Sequence, residues 1–229
     1  FSGGALTAGG AMFGLAGLEL LSTQKLQLVD ALSPLHAGLI ISAMAFSAIP
    51  TSILGGATLH RVGFLPLISG GFLLMAAGMA LVVVSRGETL PLLVSALVLT
   101  GLGAGLAMSV SSTAIINAAP LHRTGMASGV EAVSYEFGTL ISIALTGTLV
   151  PLLMARELPP HLAELGTDAL HRPASHAAAA SAYNAGYLST IGGLACFALL
   201  LAAITAWCFR DNPKSGVPYA ATQQKDHSP

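Results

Sequence analysis

Apolar residues along this chain fall into long runs broken by short polar turns, with neither strand-like alternation nor a helical stripe that leaves one polar face. A spanning helix needs about 20 mostly apolar residues. Six segments qualify, at about 6–21, 36–59, 64–84, 90–116, 126–154 and 184–209. Ser22 to Leu35 reads as a loop carrying Lys25, Asp30 and the turn Ser33-Pro34. His60-Arg61-Val62-Gly63, Ser85-Arg86-Gly87-Glu88 and Pro120-Leu121-His122-Arg123 read as tight turns. Residues 155–183 form the longest polar interval, within which the Ala-rich run 177–182 starts the sixth helix early, and 210–229 is a polar tail. The pattern predicts an all-α, polytopic transmembrane bundle of six helices.

Within the helices a few residues stand out. Pro50 interrupts the second and is expected to kink it, which a membrane helix tolerates when neighbours satisfy the freed carbonyl. Gly101 and Gly105 in the fourth, and Gly125, Gly129 and Gly138 in the fifth, read as positions where backbones approach closely, and Ser109 and Ser112 as hydroxyls able to bond across helices. Tyr183, Tyr187 and Trp207 are spaced like interfacial anchors. Arg61, Arg123, Arg210, Lys214 and Lys225 fall on one side of the membrane, and Lys25, Arg86, Arg156 and Arg172 on the other. Two of the latter sit in the long loop, where the positive-inside rule weakens, so the carboxyl terminus is expected in the cytoplasm and the long loop outside.

Composition narrows the class. Charged residues are 8% of the chain and hydrophobic residues 54%, with a mean hydropathy of +0.77. Ordinary soluble domains carry about 25% charge. A net charge of −1 gives nucleic acid nothing to bind. Cys196 and Cys208 both lie in the last apolar segment and read as packing residues, with no disulfide or metal site implied. Phe1 opens directly into Gly/Ala-rich apolar sequence, so we expect a chain entered partway through a membrane helix, with the amino-terminal part of a longer protein before it.

Acids inside such helices are expensive and mark function by default. Glu131 and Glu136 sit in the fifth segment, five residues apart, so they point roughly 140° away from one another. They are not a paired general acid and base. Tyr135 shares a face with Glu131 at i,i+4 and its hydroxyl can donate to that carboxylate. A buried carboxyl can hold a proton and release it when a cation or water arrives, which suits a proton/cation site. The bland reading of each is a protonated glutamate satisfied by a neighbour. Glu19, toward the far end of the first segment, either faces a vestibule or reaches the interface. No histidine pair has metal-ligand spacing within a helix. Gly125-Met-Ala-Ser128-Gly129 lacks the spacing of a membrane serine protease, and no later helix carries a histidine to activate Ser128, so no enzyme is expected.

At these residues the chain resembles a known family. Gln27-Leu-Val-Asp-Ala-Leu-Ser33-Pro34-Leu-His-Ala37-Gly38, Leu102-Gly-Ala-Gly-Leu-Ala-Met-Ser109, and Gly125-Met-Ala-Ser-Gly-Val-Glu131 through Tyr135-Glu136-Phe-Gly138 resemble the fourteen-helix drug:proton antiporters of the major facilitator superfamily, of the SmvA type and more distantly the QacA type. The acidic segment is similar to E-E-x-x-Y-[DE]-x-G, with Ala132 in place of the second acid. The resemblance implies the last six of fourteen helices, in a bacterial inner membrane. It implies efflux of lipophilic cationic drugs or biocides with protons as the counter-substrate and Glu136, Glu131 and Glu19 as proton or cation sites. Met44, Phe46, Met108 and Phe137 would wall the substrate. It also implies the amino-terminal half as partner and no cofactor beyond the proton motive force. Two other readings stay open, an exporter of a metabolite or amphipathic compound from the same superfamily and a non-transporting membrane scaffold or sensor.

Overall fold

The computed structural model describes residues 2–86, 89–120, 124–159, 162, 166–172 and 174–210. Among them are six long helices, α1 (Ser2–Leu28), α2 (Pro34–Val62), α3 (Phe64–Val84), α4 (Leu90–Asn117), α5 (Thr124–Glu157) and α6 (His176–Arg210), with a 3-10 turn at Gly166–His171 between the last two. All six are long and apolar enough to cross a membrane. Local signals explain several ends. Ser33 caps α2, its Oγ accepting from the His36 N–H at 3.4 Å, with Pro34 supplying a preset φ in the first turn. Gly63, at φ 87°, lets the chain leave α2 and enter α3 with no further residue between them.

Apart from α3, which matches its predicted span, the helices run longer than the hydropathy pattern predicts. The largest difference is at α1, where Ser22 to Leu28 is helix and only residues 29–33 connect to α2. The polar side chains of that extension find partners on α6 and in the connection. Ser22 Oγ lies 3.4 Å from the Tyr187 hydroxyl, and the Tyr183 hydroxyl donates to Gln24 Oε1 at 3.3 Å. Lys25, almost fully buried, pairs with Asp30 at 3.1 Å and stands 5.9 Å from the Tyr187 ring centre. The interfacial reading of Tyr183 and Tyr187 is therefore corrected: both are buried against α1, and Trp207 alone of the three is exposed. Cys196 is exposed on α6 rather than packed inside; the side chain of Cys208 lies outside the described residues.

α4 is wedged between α2 and α3. A Cβ on Gly101 or Gly105 would run into the Met44 and Ala48 carbonyls of α2, and one on Gly103 into the Gly71 carbonyl of α3. The same holds where α5 crosses α1, since a Cβ on Gly138 would meet the Gly9 carbonyl. Ser142 Oγ fastens that crossing by donating to the Phe13 carbonyl at 2.6 Å. Close backbone approach through small residues is how helices bind each other in lipid, where apolar side chains gain little by leaving it. Gly125 and Gly129 do not belong to this set. A Cβ at either would meet open space, so neither makes a close backbone contact within this bundle. Phe72, Met75, Met79, Leu18 and Leu21 fill the space between the crossings.

Candidate functional site

α5 has two different faces. The buried stripe runs Ala127, Gly138, Ser142, Thr146, Val150 and Met154 and lies against α1 and α6. The other carries exposed Val133, Phe137, Leu140, Ile141 and Leu145. Glu131 falls on the register of the buried stripe and is half-buried. The Tyr135 hydroxyl donates to Glu131 Oε1 at 3.0 Å, and the same hydroxyl lies 3.5 Å from the Met108 carbonyl of α4. That carbonyl also accepts from Ser111 Oγ, a fully buried hydroxyl, at 3.0 Å. Ala8 of α1, Ile115 of α4 and Ala127 of α5 pack beside Tyr135 and enclose the group. The i,i+4 spacing points to the glutamate–tyrosine pair, and Ser111 is one of a run of α4 hydroxyls able to bond across helices; that it and the Met108 carbonyl meet this pair depends on how α4 and α5 are set against each other.

Glu136 is exposed, makes no hydrogen bond or ion pair with any described residue, and sits toward the face that carries Phe137. Glu131 is held by a neighbour and Glu136 is presented outward. The two carboxylates have different surroundings and are suited to different tasks.

The remaining expected site residues do not gather around them. Glu19 is exposed on α1 and opens onto a cleft of about 320 Å³ between α1 and α2, with Leu15, Thr23, Ile41 and Ser42 among its walls. Ser109 donates to the Ser52 carbonyl at 2.8 Å, tying α4 to α2, and Ser112 is half-buried without a hydrogen bond among the described residues. Met44 is buried, with its carbonyl against Gly101, and is among the residues lining the α1–α2 cleft. Met108 is half-buried against the core. Phe46 and Phe137 are both largely exposed, on α2 and α5, one helix packed chiefly on α4 and the other chiefly on α1. The four apolar side chains therefore do not line a single wall within this bundle. Pro50 is exposed in the middle of α2.

The model of the Major Facilitator Superfamily matches residues 2–228. The multidrug resistance protein Stp of Mycobacterium tuberculosis is 29% identical over 160 residues, covering 70% of this chain and 30% of that protein. The methyl viologen resistance protein SmvA of Salmonella typhimurium is 32% identical over 150 residues, covering 64% of this chain and 30% of its own length. The puromycin resistance protein pur8 of Streptomyces alboniger is 32% identical over 216 residues, 92% of this chain and 40% of that protein. The chain thus matches well under half the length of each relative.

Proposed function

The chain belongs to the major facilitator superfamily, a family of transporters rather than enzymes, and from that premise we propose that it is the carboxyl-terminal six-helix bundle of a proton-coupled efflux pump for lipophilic cations. The observation that carries this reading is the division of labour on α5. Glu131 lies among neighbours that can steady a proton, and Glu136 is turned outward beside Phe137, where a flat cation can meet both charge and an aromatic wall. A carboxylate left unpaired at such a position costs free energy that a cation or a proton recovers, so the two compete for it. The names of the relatives, which include multidrug and methyl viologen resistance, favour drugs of that chemistry.

The uncovered faces of α2 and α5 suit a partner bundle, and on this reading the amino-terminal half packs there, with the transport path between the halves. The His60-Arg61 end of α2, the His122-Arg123 pair before α5 and the carboxyl-terminal residues belong on the cytoplasmic side of a bacterial inner membrane. Membrane potential then adds about 2.3 kcal/mol per charge per 100 mV to proton entry. The test is substrate-induced proton release in everted vesicles carrying the full-length transporter, wild type against Glu136→Gln, with ethidium and a viologen as substrates. Flux in the wild type that is lost in the variant is the expected result. Flux that survives in the variant removes Glu136 from the path, and no wild-type flux with either compound removes cation antiport.

A further inference from the structure

The hydroxyl of Tyr135 has one proton and acceptors within reach on two different helices. Glu131 Oε1, on α5, is at 3.0 Å; the Met108 carbonyl, on α4, is at 3.5 Å. An ionised carboxylate can only accept hydrogen bonds, whereas a protonated carboxyl also carries a donor. Protonating Glu131 therefore allows the bond between these side chains to reverse, with the carboxyl O–H donating to the tyrosine oxygen. The tyrosine O–H must then point elsewhere, and the acceptors left to it are on α4, the Met108 carbonyl and the Ser111 hydroxyl. Ser111 Oγ already holds that carbonyl at 3.0 Å, so the arriving hydroxyl competes with a buried bond internal to α4.

We propose that Tyr135 is a positioning residue that converts the charge state of Glu131 into a change of contact between α5 and α4. With Glu131 ionised, the tyrosine bond stays within α5. With Glu131 protonated, it crosses to Met108 and draws the two helices together at the level of Ala8, Ile115 and Ala127. The proton that arrives remains on the glutamate, and the tyrosine only turns its own. This rests on the reading of Glu131 as a proton site.

The neighbourhood keeps the device specific. α4 has no titratable side chain along its length. The ionisable groups of α1, Glu19 and Lys25, stand toward its other end, as do Tyr183 and Tyr187 of α6. Glu136 points away around α5. At the near end of α6 stand Cys208 and Arg210, and before α5 come His122 and Arg123, all with side chains outside the described residues.

The experiment is a distance measurement by paired spin labels in the full-length transporter, with Cys196 and Cys208 replaced and labels at Asn117→Cys on α4 and Ser128→Cys on α5, recorded across a pH titration. Both label sites are exposed. In the wild-type background the distance is expected to shorten on acidification, and in Glu131→Gln to stop responding. Tyr135→Phe, which keeps the ring, should also lose the response. Ser111→Ala, which frees the Met108 carbonyl, should move the distribution the opposite way, giving the acidic distance at a higher pH. A response that persists in Glu131→Gln defeats the proton-site reading itself. A response lost in Glu131→Gln but intact in Tyr135→Phe overturns the proposal alone. Should Tyr135→Phe fail to fold, an unshifted distribution in Ser111→Ala overturns it equally.

Discussion

α2 and α4 are neighbours of nearly equal length, 29 and 28 residues, and similar hydropathy, yet 17% of the most apolar stretch of the first is buried in the bundle against 50% of that of the second. Apolarity does not separate them, because a leucine facing lipid is as comfortable as one facing another helix. What separates them is where small residues meet backbone. α4 presents Gly101 and Gly105 to one neighbour and Gly103 to the other, whereas Gly38 of α2 has nothing within 4 Å of where its Cβ would lie. α5 repeats the contrast along a single helix, with Gly138 clamped on α1 and Gly125 and Gly129 open. In this bundle the glycines record contact, and hydropathy records only the solvent.

The comparison can be broken most forcefully at its tightest point. Gly103→Leu forces a branched side chain into the Gly71 carbonyl and the backbone of Met75, and should cost about 3 kcal/mol or more, enough to abolish a monodisperse folded protein on size exclusion. Gly38→Leu, on the open face of α2, should leave the melting temperature of the bundle where it is; an equal loss would mean the faces are not different in kind. Gly129→Ala fills open space and removes a flexible residue from a helix interior, so it should raise stability by about 0.5–1 kcal/mol, read as a higher unfolding midpoint. The smallest effect belongs to Ser109→Ala, which deletes the bond to the Ser52 carbonyl and should lower stability by about 0.6 kcal/mol, the average for such bonds in lipid. A loss several times larger would show that α2 hangs on α4 by that hydroxyl rather than by the glycine contacts.

These contrasts also explain what was legible in the sequence. Six spans could be read because length and apolarity suffice to define them. The end of α1 could not, since Ser22-Thr-Gln-Lys25 reads as loop until Tyr183 and Tyr187, far along the chain, are brought alongside to satisfy it. The glycines at 101 and 129 look alike in sequence, and only the neighbouring helix distinguishes them. At the candidate site the Glu131–Tyr135 pair followed from helical spacing within one segment. The link onward to Met108 and Ser111 depends on the rotation of α4 against α5, which no local pattern encodes.

The Gly71–Gly103 contact has a genetic consequence. When a large side chain invades a core, a truncation on the opposing residue often restores the fit. Here both opposing residues are already glycine, and the obstacle each presents to the other is main chain. No second-site suppressor is available in the partner side chain, and where α1 meets α5 the obstacles are again main chain, the Gly9 carbonyl for Gly138 and the Ser134 carbonyl for Gly9. A lesion at any of the four should revert only at its own codon, or through a shift of a whole helix. Selection for revertants would therefore return the original glycine far more often than a compensating change at its partner.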